Sequence, residues 1–362
     1  MSAQHRLPAA YYRGGTSKAV MFQSKDLPSD RSKWASIFTG VLGSPDKYGR
    51  QLDGMGGGLS SVSKICVVGP ASRSDADVDY TFAAIGVKDE EVDFSGNCGN
   101  MSSAIGPYAV DAKVFRIEPG AKEATVSIHN TNTGKMIHAT FPVENGEAAA
   151  TGNFSIDGVS GTAARVQLDF IDPAGAKTGK LLPTGNAVDE INGHPVTCVD
   201  VGNPNCFVKA EDLQIDGSLS PDEIEQHPDL LARLDSIRRQ AAVKMGLADS
   251  LEQVPSSIPK IAMVSTGDAD TDLRVRAISV GQPHRAVPIT LALSTAAAAH
   301  VSGSVVQQCT STNRVDPAGI TLGHASGRLM VGAEFDDVGH LKYATVFRTA
   351  RRLMEGTVFW KG

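Results

Sequence analysis

A cysteine set among glycines and asparagines occurs in residues 95–100 (SGNCGN), between a predicted strand and a predicted buried helix. The glycines let a ligand approach the backbone closely and leave N–H groups pointing outward. The positive end of the helix dipole favours the thiolate of a cysteine placed there. We therefore predict an acid–base role for Cys98 and substrate contacts for Asn97, Gly99 and Asn100. The alternative is a free core cysteine beside a tight turn.

Residues 53–64 (DGMGGGLSSVSK) combine glycines and serines with a lysine at the entry of a strand. The segment differs from a phosphate-binding loop because the GxxxxGK[ST] pattern is absent. Its backbone and hydroxyl donors still suit a carboxylate. The donor residues are Gly57, Gly58, Ser60 and Ser61. Desolvation of Lys64 favours the neutral amine, which can accept a proton, so Lys64 is predicted as a base. A strand-edge lysine that reaches solvent is the alternative.

Three further turns follow strands and carry short polar side chains, at residues 13–18 (RGGTSK), 202–204 (GNP) and 281–286 (GQPHRA). Each turn alone is weakly diagnostic, since many such turns only reverse the chain. The polar residues that could reach a ligand from them are Ser17, Asn203, Gln282 and His284. We expect His284 to hold, in the second half of the chain, the position that Cys98 holds in the first.

Strands dominate the elements that must position these residues. Alternating or β-branched runs predict strands at 64–68, 78–85, 124–130, 136–143, 165–171, 196–201, 260–265 and 273–279. Residues 341–360 mix strand-like and helix-like patterns, and this segment is not divided. An amphipathic helix is predicted at 29–41. A capping box at Ser220 predicts a charged helical excursion that is interrupted at Pro228 and ends at Gly246.

Two other predicted helices are apolar nearly all round, one running from about residue 100 to 110 and one from about 285 to 300. Such helices are buried on every side. One of them in each half, each after a glycine-bearing turn, suggests two similar domains in which a sheet wraps around a central helix. The fold class is therefore α+β. We expect a first domain of residues 1–184 with 343–362, and a second of residues 185–342.

The composition excludes several classes of protein. With 41% hydrophobic and 20% charged residues, the chain is globular and not disordered. Its net charge of −6 argues against general nucleic-acid binding, and no run of about 18 apolar residues predicts a membrane span. The five widely spaced cysteines form neither a disulfide framework nor a zinc motif. No secretion signal is recognised at the start, so a cytoplasmic location is expected.

Taken in order, RGGTSK, DGMGGGLSSVSK, SGNCGN, PTGN, VGNP and GQPHRA resemble the motifs of the PrpF-type isomerase family. This family includes methylaconitate cis–trans isomerase, methylitaconate Δ-isomerase and 4-oxalomesaconate tautomerase. The resemblance implies the fold of diaminopimelate epimerase, with two pseudo-symmetric domains, each a curled, mostly antiparallel sheet around a central helix. It also implies that Lys64 is the base and that Cys98 lies beside the substrate.

Epimerases of this fold use two cysteines, one at the N-terminus of each central helix. Cys98 matches the first, and the turn at Asn203 resembles a substrate-binding turn of these epimerases. The second cysteine is missing, because its segment offers Gln282 and His284. A two-thiol racemase or epimerase is therefore disfavoured, although it remains the first alternative.

The function implied by the resemblance is isomerisation of an unsaturated di- or tricarboxylic acid, such as aconitate, methylaconitate, methylitaconate or oxalomesaconate. The reaction is a 1,3-allylic proton transfer or a cis–trans isomerisation, with N–H groups around residues 57–60 and 99–100 stabilising a dienolate. No metal or organic cofactor is expected. The partner is a small molecule and neither nucleic acid nor membrane, while sheets with exposed edges make a homodimer one expectation. A non-catalytic accessory protein of the same fold is the second alternative.

Overall fold

The computed structural model describes residues 4–279 and 281–361. The chain divides into two compact units, the first formed by Met1–Asp169 with Phe347–Gly362 and the second by Phe170–Val346. The sequence predicts this division after residue 184. It falls earlier because Asp200 accepts hydrogen bonds from the N–H groups of Lys177 and Thr178, which holds this segment in the second unit.

The strands, α-helices and 3-10 turns have the following bounds, each group in chain order. The strands are β1 (Gln4–Gly14), β2 (Ser17–Gln23), β3 (Lys64–Pro70), β4 (Val78–Ile85), β5 (Val92–Asp93), β6 (Glu123–Asn130), β7 (Lys135–Glu144), β8 (Glu147–Ala148), β9 (Arg165–Ile171), β10 (Asp189–Ile191), β11 (His194–Val201), β12 (Asn203–Lys209), β13 (Lys260–Thr266), β14 (Leu273–Ser279), β15 (Gln282–Pro283), β16 (Ile320–His324), β17 (Gly327–Phe335) and β18 (Leu341–Lys361). The α-helices are α1 (Trp34–Leu42), α2 (Gly99–Asp111), α3 (Pro221–Gln226), α4 (Leu230–Lys244), α5 (Ile289–His300) and α6 (Val305–Cys309). Short 3-10 turns cover Ser24–Asp26, Arg31–Lys33, Ser60–Val62, Glu211–Leu213 and Leu251–Gln253.

The first unit is a mostly antiparallel sheet around α2. Strand β1 pairs antiparallel with both β2 and β18, β2 pairs parallel with β3, and β3 pairs antiparallel with β4. Strand β4 then pairs parallel with β6, and β6 antiparallel with β7. Helix α2 packs against β1, β2, β3, β6 and β7, and every residue from Met101 to Val110 is buried. The predicted central helix is confirmed.

The second unit repeats this order of pairings around α5. Strands β11 and β12 pair antiparallel, β12 and β13 parallel, and β13 and β14 antiparallel. Strand β14 pairs parallel with β16, and β16 antiparallel with β17. The central helix follows a two-stranded hairpin in both units, β4–β5 before α2 and β14–β15 before α5. The duplication expected from the two buried helices is therefore present in the topology.

The two faces of β3 contact different helices. Ile65 and Val67 belong to a buried cluster with the apolar residues of α1. Because side chains alternate along a strand, Lys64 and Cys66 point to the opposite face, where α2 packs. The strand thus carries its first residue, Lys64, to the side of the central helix.

Helix α5 begins later than the sequence predicts. The predicted start near residue 285 is wrong, because Pro288 is the N-cap and Ile289 the first helical residue. Proline disfavours helical backbone in the residue before it, and residues 284–287 form a turn instead. In that turn the Ala286 N–H donates to Nδ1 of His284 at 3.0 Å. His284 therefore does not hold the N-cap position that Cys98 holds in α2.

The remaining predictions concern the strands and the peripheral helices. The eight predicted strands are confirmed, with small differences in their ends. The undivided segment at the chain end is one long strand, β18. The predicted helix at 29–41 begins as a 3-10 turn capped by Asp30 and continues as α1, and the capping box of Ser220 and Glu223 is present in α3. Among the described residues, no helix is long and apolar enough to cross a membrane.

Candidate active site

Cys98 is the N-cap residue of α2, with extended backbone at φ −102° and ψ 101°. Its carbonyl oxygen accepts hydrogen bonds from the N–H of Ser102 at 2.9 Å and from the Ser102 hydroxyl at 3.1 Å. The thiol makes no capping hydrogen bond and is partly exposed. The backbone of Cys98 therefore closes the helix end while its sulfur stays available at the positive end of the helix dipole.

Asn97 stabilises this turn. Its Nδ2 lies 3.1 Å from the Ser102 hydroxyl, within the first turn of α2. The side chain predicted to bind substrate is thus engaged in holding Cys98 at the helix end. Gly99 follows as the first helical residue, and no acceptor among the described residues is recorded for the N–H groups of Gly99 and Asn100. Such groups form an anion-binding end.

Asn100 links three separate parts of the first unit. Its Nδ2 donates to the Thr16 hydroxyl at 3.2 Å, in the turn between β1 and β2. Its Oδ1 accepts a hydrogen bond from Nε of Arg348 at 3.2 Å, in β18. Gly15 is needed for this arrangement, because its φ is +51° and a Cβ there would overlap Asn100 Oδ1. The predicted contact residue Ser17 directly follows this turn as the first residue of β2 and is buried.

Lys64, the first residue of β3, is half-buried. Its Nζ lies 5.1 Å from the centroid of the Phe82 ring, which is a cation–π contact. Among the described residues, no carboxylate lies within 4.0 Å of this amine. An amine left without an acidic partner is available for proton transfer.

Cys66 connects Lys64 with Cys98. Burial raises the pKa of the Cys66 thiol, the nearby Cys98 raises it further, and the ammonium of Lys64 lowers it. Burial also raises the pKa of Tyr80, with added contributions from Cys66 and Cys98. Lys64 and Cys98 thus both contribute to the electrostatic surroundings of the Cys66 thiol in the first unit.

The glycine-rich loop is held from inside by Gln51. The Oε1 atom of this buried side chain accepts hydrogen bonds from the Gly58 N–H at 2.9 Å and the Ser63 hydroxyl at 2.6 Å. The N–H of Gly58 is therefore engaged by Gln51 and supports the loop, while contact of Gly58 with a substrate stays a prediction. Gly57 and Ser60 are exposed, and no acceptor is recorded for their N–H groups within the described ranges. Ser61 follows them in the 3-10 turn that leads to β3.

Arg348 lies beside Asn100, although no sequence motif indicated it. Its guanidinium contacts Asn100, next to the helix end that carries Cys98. Desolvation lowers the pKa of Arg348 to about 10, and Cys98 opposes that shift. The sequence feature that could have indicated Arg348 is its position as the single cation in the mostly apolar and β-branched run at residues 343–350 (YATVFRTA).

The remaining predicted residues lie in the second unit. Asn203 opens β12 and is partly buried, and its carbonyl oxygen accepts a hydrogen bond from Nδ2 of Asn205. Gln282 and His284 are exposed, and the His284 N–H donates to the carbonyl oxygen of Ala277. Asn205, two residues after Asn203, is fully buried, and its Nδ2 donates to the Ser294 hydroxyl of α5.

In the first unit, the Arg348 guanidinium lies on Asn100 at the start of α2, which Cys98 caps, and the Lys64 amine begins β3, a strand that packs against the same helix. Within the described ranges, neither cation has a carboxylate partner within 4.0 Å, and no cluster of three or more His, Cys, Asp or Glu side chains could hold a metal ion. Positive charge and helix N–H groups without internal partners suit an anionic ligand.

Comparison with known proteins gives similarity along the whole chain. The family model described as PrpF protein matches residues 4–361. The chain is 39% identical to the 3-methylitaconate isomerase of Eubacterium barkeri, with 99% of this chain and 98% of that protein covered. It is 38% identical to the 2-methyl-aconitate isomerase of Cupriavidus necator, with 98% and 97% covered.

Solved structures show the same relationship. A crystal structure of methylitaconate-delta-isomerase matches with a TM-score of 0.91 at 38% identity, covering 99% of this chain and 96% of that one. A hydroxyproline epimerase from Agrobacterium vitis matches with a TM-score of 0.53 at 11% identity, covering 100% and 95%. The second match shows a common epimerase-like fold and nothing about the reaction.

Proposed function

Because the chain belongs to the PrpF family of isomerases, we propose that it moves a proton between two carbons of an unsaturated di- or tricarboxylic acid. Lys64 is the base and Cys98 assists. The observation that carries this proposal is an amine with no carboxylate of the described residues within 4.0 Å, on the face of β3 that packs against the helix capped by Cys98.

The first step is removal of a proton from a carbon next to an alkene that is conjugated to a carboxylate or keto group. The neutral amine of Lys64 accepts the proton, and the electron pair of the C–H bond spreads over the conjugated system to an oxygen. The Phe82 ring stabilises the ammonium that forms. In the described structure, no carboxylate oxygen lies within 4.0 Å of Lys64 Nζ to compete with a substrate for this amine.

The negative charge of the dienolate needs donors that are already in place. The N–H groups of Gly99 and Asn100 at the start of α2 have no acceptor in the part of the chain that the structure describes, and the helix dipole adds to their effect. Such preorganised donors are usually the largest electrostatic contribution to catalysis. Gly57 and Ser60 are further candidates for this role, whereas the N–H of Gly58 is taken by Gln51.

Return of the proton to the far carbon completes the allylic shift. One group can remove the proton and return it, because both carbons belong to one planar system. Rotation in the intermediate before the proton returns would give a cis–trans isomer. Cys98 contributes by orienting the substrate or by assisting the return of the proton.

A racemase with two thiols is supported less well. That mechanism needs a second cysteine at the N-terminus of the other central helix, whereas α5 is capped by Pro288. The substrates of the similar enzymes, methylitaconate and 2-methyl-aconitate, indicate the chemical class to test first. We also propose a cytoplasmic location, which the five free cysteines support.

The proposal is tested by proton NMR in deuterated water with a panel of these acids. We expect one acid to incorporate deuterium at an allylic carbon while its double bond moves or changes geometry. Deuterium entering a stereocentre without any change in the double bond would instead establish a racemase. Turnover that is unaffected in both Lys64→Ala and Cys98→Ala would remove these residues from the mechanism. Absence of exchange with every acid would favour an accessory protein.

A further inference from the structure

We propose that Arg348 binds a substrate carboxylate that lies away from the reacting carbons, so that the site selects acids with at least two carboxylates. This inference rests on the proposed function only in taking the ligand to be a carboxylic acid. The guanidinium itself is described by its contacts in the first unit, and its role can be measured by binding alone.

The hydrogen bonds of Arg348 leave one edge of its guanidinium available. Nε donates to Asn100 Oδ1 at 3.2 Å, and Nη1 donates to the carbonyl oxygen of Phe347 at 3.1 Å. Among the described residues, no acceptor is recorded for Nη2. Since a guanidinium has five N–H donors in a planar fork, the Nη1–Nη2 edge can still receive a carboxylate through two parallel hydrogen bonds.

The charge of Arg348 is also unbalanced. In the described ranges, no Asp or Glu oxygen lies within 4.0 Å of its guanidinium. Arg352, four residues further along β18, is different, because it pairs with Glu147 at 2.7 Å and with Glu355 at 3.3 Å. A desolvated cation without a counter-ion is costly, so an arginine left in this state is suited to an external anion.

The position of Arg348 gives the carboxylate a defined place. Asn100 holds the guanidinium through a neutral amide, so it orients the fork without neutralising its charge. Asn100 is also the second residue of α2, two positions after the N-cap residue Cys98. A carboxylate on Arg348 therefore lies beside the helix end where the reaction is proposed.

The test compares two probes that share a five-carbon chain, glutarate with two carboxylates and pentanoate with one. Their affinities are measured by ligand-observed NMR titration of the full chain. We expect Arg348→Gln to weaken glutarate binding by about 10- to 100-fold, the usual effect of losing a charge-assisted contact. Pentanoate binding should change less than threefold. Arg351→Gln is the matched control, since Arg351 is exposed on the same strand, and it should bind both probes like the wild type.

Each outcome decides between the possibilities. If Arg348→Gln keeps the preference for glutarate, or weakens both probes equally, the inference is overturned whether or not the protein is an isomerase. If no acid of the NMR panel is turned over but the preference for glutarate depends on Arg348, the proposed function fails and the inference stands. If Arg348→Gln does not fold, the same titrations are made with Arg348→Lys, which keeps the positive charge but loses the planar pair of N–H donors. It should reduce the preference for glutarate by at least fivefold, and an unchanged preference would overturn the inference.

Discussion

Asn100 accepts a hydrogen bond of 3.2 Å from Arg348, although the two residues are 248 positions apart in the chain. The contact joins the start of the central helix to the last strand of the first unit. Through its Nδ2, the same asparagine also holds Thr16. The N-terminal turn, the helix end with Cys98 and the C-terminal strand are thus fixed to one another by a single side chain.

The first prediction separates the roles of Lys64 and Cys98. Lys64→Met should lower both isomerisation and deuterium exchange by at least 100-fold, because methionine keeps the volume but cannot accept a proton. Cys98→Ser should retain detectable exchange, since it keeps a small polar group at the helix end. Both are measured by NMR in deuterated water. Lys342→Met is the control, because Lys342 also lies over an aromatic ring, at 6.0 Å, and is exposed in the second unit.

The assignment is reversed if Cys98→Ser loses exchange completely while Lys64→Met keeps it. The thiolate would then be the base, and the mechanism would be closer to that of the epimerases.

The second prediction concerns the close approach of Gly15 to Asn100. Gly15→Ala should destabilise the protein by about 1–2 kcal/mol through its left-handed backbone, and its Cβ should displace Asn100 and lower kcat/KM. Gly120→Ala is the matched control, since φ at Gly120 is +81° and no atom lies within 4 Å of the added Cβ. Urea unfolding and turnover are measured for both. Equal losses of kcat/KM in the two variants would contradict the proposed importance of the Asn100 contacts.

The third prediction concerns the buried Gln51. Gln51→Leu leaves the Gly58 N–H without its acceptor, which should cost about 1–3 kcal/mol, whereas the Ser63 hydroxyl can still donate to the Leu59 carbonyl oxygen. Hydrogen exchange of the amides in residues 56–63 should become faster, and turnover should fall because this loop leads directly to Lys64. Gln253→Leu, at an exposed position, should show neither effect. Unchanged exchange of the loop amides in Gln51→Leu would show that Gln51 does not hold the loop.

The fourth prediction concerns the pH dependence of stability at Lys260. This residue opens β13 as Lys64 opens β3, and burial lowers its pKa from the usual 10.5. The unfolded chain therefore holds this proton to higher pH than the folded chain, so the contribution of Lys260 to stability improves as pH rises towards 10.5. Lys260→Met should be more stable than the wild type at pH 7, and the difference should shrink as pH rises from 7 towards 10.5. Thermal unfolding across this range is compared with Lys342→Met, and a difference that is independent of pH would contradict the desolvation of Lys260.

Local patterns in the sequence were sufficient for several features of the fold. The nearly all-apolar run after Asn100 predicts a buried helix because no face of it could be left in water, and the structure has α2 there. The capping box at Ser220 predicts the start of α3 because its hydrogen bonds join residues only three positions apart. The order of the turn motifs along the chain indicated the family without reference to the fold.

Contacts between distant residues could not be predicted in this way. Whether Gly58 offers its N–H to a ligand depends on the side chain of Gln51, which turns into the loop. The start of α5 is a different case, because Pro288 is a local residue whose effect on the preceding backbone outweighs the apolar pattern.

The sequence by itself determined the two central helices, the strands around them and the cysteine and lysine of the candidate site, because each of these follows from residues close together in the chain. The tertiary structure alone decided that Arg348 lies beside Asn100 without a carboxylate partner in the described ranges. The reason is physical, since the surroundings of a charge are set by strand pairings that join the two ends of the chain, such as β1 with β18. No pattern of neighbouring residues encodes such a pairing.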